Sequence, residues 1–161
     1  MTDREFFVHQ RKSEFPIFQR ILKAIPKDKI HYKPHERSPT AEQLVWTITG
    51  ELKGASTLIE TGKLEPKHAP APPVDQMIAM FDQFYSELVD HTSKMSDAAW
   101  TKKASFIVNG RQVMEAPTSA LLWLLFFDAV HHRGQLSAYI RPMGGKVPSI
   151  YGPSADDPGG M

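Results

Sequence analysis

The chain has no cysteine. That one absence excludes disulfides, thiolate metal ligands and a cysteine nucleophile. It has no excess of charge of either sign: 19 Lys and Arg face 18 Asp and Glu, interspersed along the chain. Without a basic stripe, neither nucleic acid nor an acidic membrane surface is an expected partner. The opening MTDREFFVHQRK is charged and carries no signal-peptide apolar core, so the cytoplasm is the expected location. No internal repeat is visible, and the length suits a single domain over residues 1–161 with a proper core.

What the chain does have is a concentrated stretch from Leu121 to Arg141. Eight apolar or small residues, Ala120 to Phe127, run directly into Asp128, His131, His132 and Arg133. The run is too long for one strand and too short to span a bilayer, which predicts a buried helix. Ionisable groups are rarely buried unless paired or ligating. At about 100° per residue, Leu121, Leu124, Leu125, Asp128, His132, Gln135 and Tyr139 share one broad face. Its first half is apolar and its second half polar, as for a helix with one end in a core and the other beside a cavity. Asp128 and His132, four apart, lie one turn above each other, a spacing that suits two ligands on one metal ion. His131 points about 100° away from His132, outside that pair.

Upstream, a first helix is expected over Thr2 to Ala24, with a kink or a fresh start near Ser13 imposed by Pro16. A connector follows, punctuated by Pro34 and Pro39. The second helix begins either at Ser38-Pro39 or at the Thr40/Gln43 capping box and runs to about Glu60, with Gly62 as its stop. Leu44, Thr47, Glu51, Gly54 and Leu58 share one of its faces. After the Pro-rich KLEPKHAPAPPVD comes a third helix, from about Pro73 to Lys94. Ser96, Asp97 and Trp100 suggest an extra turn, and Asn109-Gly110 gives a weak hairpin signal. Pro117 and Thr118 open the fourth helix. The tail, 146–161, has no periodicity and is expected to be extended. Four amphipathic segments with long connectors predict an all-α fold, a four-helix bundle with crossover connections.

Three motifs, KIHYKPHERSPTAEQLVWTITGE, HHRGQL with its trailing YIR, and KVPSIYGPSAD, together resemble the DinB/YfiT superfamily across most of the chain. The resemblance implies a helical bundle, usually dimeric, with a divalent metal, often nickel or zinc, at one end. It also implies hydrolase or thiol-dependent transferase chemistry on small molecules. The family's three ligand histidines fall here on Thr47, Asp128 and His132, so only the third remains histidine.

Asp and His are good ligands for zinc, nickel or iron, whereas a threonine hydroxyl is poor. Glu51, one turn beyond Thr47, offers a replacement, giving two carboxylates and one histidine, a set suited to iron or manganese. The competing reading is a metal-free pair of Asp128 with His132, and the loss of two histidines favours this pair, or weak metal affinity, over a tightly held ion. Gln135 and Tyr139, with His131 on the shoulder, are the expected pocket residues. Arg133 is expected to pair with a carboxylate rather than touch substrate, and Gly134 to admit a packed neighbour. The apolar excess of residues 120–127 predicts a second copy of the chain as partner, a homodimer. A small-molecule ligand is expected under either an enzymatic or a non-catalytic, stress-response reading.

Overall fold

The computed structural model describes residues 1–66 and 69–159. Lys67 and His68 of the Pro-rich link, and Gly160 and Met161 at the end of the tail, lie outside the described residues. The element order is α1 (Asp3–Lys23), a 3-10 turn (Lys27–Lys29), α2 (Ala41–Thr61), β1 (Lys63–Leu64), α3 (Val74–Lys94), α4 (Asp97–Thr101), β2 (Lys103–Val108), β3 (Arg111–Pro117) and α5 (Thr118–Ile140).

Local chemistry sets the helix ends. Thr2 and Thr40 open α1 and α2 with reciprocal capping boxes to Glu5 and Gln43, each satisfying two otherwise unpaired backbone donors. Of the two starts that the sequence offers for α2, the chain uses Thr40. Gly62 closes α2 with φ 71°, a left-handed turn that costs glycine little. Pro16 does not restart α1: the helix runs unbroken past Ser13, whose hydroxyl donates to the His9 carbonyl at 3.0 Å.

α2 packs on α3 and α5, and α1 closes the ring by packing on the same two helices. Their inward stripes build one core, with Phe7 and Phe18 of α1, Ile48 and Leu52 of α2, Phe81 and Leu88 of α3, and Leu122 and Leu136 of α5 all buried. Burying that apolar surface is the main stabilising contribution to the fold.

The all-α expectation needs correction, because the mostly helical chain also carries a three-stranded sheet in the order β1-β2-β3. β2 and β3 pair antiparallel across Asn109 (φ 51°) and Gly110 (φ 72°), the two left-handed residues of a tight hairpin turn. β1 joins β2 in parallel, with Leu64 opposite Phe106. The sheet's third strand is exposed almost throughout, so its sequence shows no apolar-polar alternation to announce it.

The tail is tied down by side chains. Asp156 accepts from the Val147 amide and from Arg141, and Asp157 accepts from the amides of Ser149 and Gly159. These bonds hold both carboxyls below the usual carboxylate range, with the backbone donors as the leading cause. Among the described residues, no helix is long and apolar enough to cross a membrane.

Candidate metal centre and adjoining cavity

α2 and α5 lie against each other, and their shared seam carries the chemistry. Glu51 from α2, and Asp128 and His132 from α5, bring one potential ligand atom each to within 4.8 Å of one another. Glu51 and His132 are partly buried, while Asp128 lies open at the rim. The helical spacing places His132 Nε2 3.6 Å from Asp128 Oδ2.

Gln135, one turn on from His132, fixes the imidazole. Its side-chain oxygen lies 2.8 Å from His132 Nδ1. An amide oxygen can only accept, so Nδ1 donates and the lone pair of the neutral ring sits on Nε2. Nε2 therefore faces the Asp128 carboxylate, acceptor against acceptor. Such an arrangement calls for a cation between the groups, either a proton or a metal ion.

Glu51 registers the same shortage of positive charge. Its Oε2 is buried without a hydrogen-bond partner. Burial is the largest cause pushing its carboxyl up to about 9, the neighbouring Asp128 carboxylate adds to the rise, and Arg11 acts against it.

Thr47 is exposed one turn before Glu51 and lines the same cavity as Glu51 and Asp128. His131 is exposed, its ring centroid 5.3 Å from that of His132. Among the residues lining the two cavities of this region, His131, Gln135 and Tyr139 do not occur. Gln135 instead holds His132. Tyr139 is buried edge-on against Tyr32, and its hydroxyl donates to the Pro39 carbonyl at 3.3 Å. Gly134 is exposed, and an added Cβ would meet nothing within 4 Å, so no packed neighbour explains it. His31 and His35 sit exposed on the connector.

Arg133 turns away from the centre to form a buried ion pair with Glu14. Tyr151 of the tail bridges the two: its hydroxyl accepts from Arg133 Nη2 at 2.6 Å and donates to Glu14 Oε1 at 2.9 Å. The HHRGQ run thus contributes one residue to the centre, one to its support and one to the clasp between α1, α5 and the tail.

Two buried charges on α1, Arg11 and Glu14, were not anticipated from the sequence, and Arg11 is the less well partnered. It is 2 % exposed, its Nε and Nη1 have no partners, and its guanidinium lies 4.4 Å from the Phe126 ring centroid with Phe7 and Tyr85 also in range. Those ring faces stabilise a cation that cannot be neutralised. The signal was present: Phe7, Arg11, Glu14, Phe18 and Ile21 follow the 4-3-4-3 spacing of a buried face, so both charges occupy core positions.

Beside the centre is a cavity of about 450 Å³ whose walls come from α2, α5 and the sheet, with Glu51, Asp128 and Thr47 among the few polar groups in an otherwise largely apolar lining. Trp46, Thr47 and Ala69 also border a second, more polar cavity of about 850 Å³, lined by Lys33, Arg37, Ser38 and Thr40 among others. The Trp46 indole N–H donates to the Ala69 carbonyl at 2.8 Å and pins this shared border.

Comparison with known proteins agrees with this architecture. The chain is 29% identical over 129 residues to the uncharacterised protein YjoA of Bacillus subtilis, spanning 77% of this chain and 80% of that one. The crystal structure of YjoA superimposes with a TM-score of 0.68 at 22% identity, covering 86% of this chain and 92% of YjoA. A DinB-like protein from Bacillus cereus gives a TM-score of 0.72 at 24% identity, covering 91% of this chain and 97% of that one. A mycothiol-dependent maleylpyruvate isomerase gives 0.61 at 13% identity, covering 88% of this chain and 61% of the isomerase. At these identities the superpositions speak to fold alone. A sequence model of the DinB family matches residues 2–159, nearly the whole length, and the chain belongs to the DinB family.

Proposed function

We propose that this protein is a divalent-metal-dependent enzyme acting on small molecules, with Glu51, Asp128 and His132 as the metal ligands in place of three histidines. The observation that carries the reading is the convergence of two carboxylates and an imidazole lone pair, within 4.8 Å of one another, at the end of a largely apolar cavity. The donor set fits the group: oxygen and imidazole ligands suit manganese, iron or zinc, and the unpartnered Glu51 Oε2 is a buried acceptor that a cation would satisfy. When bound, such an ion polarises a substrate oxygen or acidifies a water. The chain's own residues do the rest. Gln135 holds the His132 tautomer, and α2 and α5 set the ligand spacing.

The reaction class is either hydrolysis or transfer to a low-molecular-weight thiol. The polar cavity beside the apolar one supports the second, since it offers room for a hydrophilic co-substrate. The alternative is a non-catalytic, metal-free dimer that holds a small ligand, and the half-exposed side chain of Asp128 favours it. Elemental mass spectrometry on protein purified without added metal, followed by titration with Mn²⁺ and Zn²⁺, separates the two. The enzyme reading expects about one ion per chain, lost in Glu51→Gln and His132→Ala. Protein that takes up neither metal refutes it.

A further inference from the structure

The geometry points to a substrate with a flat, apolar body and a single oxygen-bearing end, with Gly50 as the residue that makes room for that body. This rests on the reading of Glu51 and Asp128 as the reacting end.

Gly50 lies in the middle of α2, where glycine weakens a helix and needs a compensating reason. Its backbone is ordinary helix, since it is not among the glycines with positive φ. Nothing packs against it either: a Cβ built there would meet no atom within 4 Å. Conformation and close packing, the two usual reasons for a helical glycine, are therefore both excluded. Gly134 shares both properties, and what sets Gly50 apart is that it lines the cavity directly beside Glu51, where any side chain would enter that space.

The rest of the lining shows what the space suits. Leu64 and Phe106, partners in the parallel β1–β2 ladder, and Leu124 of α5 contribute apolar surface to the lining. Trp46 contributes an indole whose N–H is already spent on Ala69, which leaves its ring as apolar surface. Aromatic faces favour stacked or edge-on planar groups. Hydrogen-bonding capacity is concentrated at Thr47, Glu51 and Asp128. A largely apolar enclosure with a few convergent polar groups selects a ligand polar at one end only.

The test uses the full chain and binding rather than turnover. The probe is 2-naphthol, with myo-inositol as a polar control, titrated calorimetrically into wild type, Gly50→Ala, Gly50→Leu and Gly134→Ala, each also titrated with Mn²⁺. Gly134 is the control for glycine in an open helical position away from the cavity. Both alanine variants should melt at a higher temperature than wild type, which certifies folding. We expect 2-naphthol binding to weaken progressively from wild type through Gly50→Ala to Gly50→Leu, the last by at least about tenfold, with Gly134→Ala and all Mn²⁺ titrations unchanged. Loss of Mn²⁺ uptake throughout, with this naphthol ranking intact, would remove the metal reading and leave the cavity assignment standing. Wild type that ignores 2-naphthol, takes up myo-inositol as well as 2-naphthol, or loses nothing in Gly50→Leu overturns the inference.

Discussion

Replacing Glu51 by glutamine tests the electrostatics of the centre directly, because the substitution keeps the shape and removes the ionisable group. In the metal-free fold the Glu51 carboxyl is pushed up to about 9 from an ordinary 4.5, chiefly by burial and then by Asp128. Between those two values the folded chain holds a proton that the unfolded chain has released. The linkage sign follows: the stabilising contribution of the protonated group is complete below about pH 4.5 and is lost as pH rises toward 9. The slope in this window is about 1.4 kcal/mol per pH unit for one proton. From pH 6 to pH 8 wild type should therefore lose up to about 2.7 kcal/mol relative to Glu51→Gln, which has no such proton. Urea denaturation in the presence of a chelator, at several pH values, measures the divergence. Adding Mn²⁺ at pH 8 should restore wild type and leave Glu51→Gln where it was, since the ion replaces the missing proton only where a carboxylate can hold it. Parallel pH profiles for the two proteins would refute the argument that Glu51 is buried beside an uncompensated acid.

Glu14→Gln should destabilise the fold by about 3–5 kcal/mol in denaturant titrations, because it strands the buried Arg133 cation; Tyr151→Phe should cost only about 1 kcal/mol, since the ion pair survives. The double variant Thr47→His, Asp128→His should tighten Zn²⁺ or Ni²⁺ binding at least about tenfold in calorimetry, since it exchanges a poor ligand and a harder one for two imidazoles. Phe6, Leu124 and Phe127 leave an apolar surface on α1 and α5, with Phe127 63% exposed, and a second copy is the partner proposed for it. Light scattering is expected to give a two-chain mass for wild type and a one-chain mass for Phe127→Asp.

The sequence by itself determined the long helices, the stop of α2 at Gly62 and the pairing within α5, and it offered the Thr40/Gln43 box as one of two starts for α2. Helical periodicity and capping are local: Thr40 and Gln43 are three residues apart, Gly62 supplies its own left-handed turn, and Asp128 and His132 are neighbours on any helix that contains them. Arg133 could likewise be assigned to a carboxylate partner, since a cation in so apolar a stretch needs one. Only the tertiary structure decided which acid completed the centre, because Glu51 lies 77 residues before Asp128 in the numbering and reaches it through the packing of α2 on α5. It also redirected Gln135 from pocket to imidazole support and Tyr139 from pocket to core, as the rotation of α5 about its axis is fixed by neighbours rather than by spacing. Of the sheet, only the Asn109-Gly110 hairpin turn was signalled, and the structure has it; β1 and its parallel pairing were not, for a related reason. A two-residue strand and an exposed hairpin carry almost no pattern of their own, yet once folded they place Leu64 and Phe106 as a wall of the cavity. What is local in the chain can be read from it; what depends on distant segments meeting requires the fold.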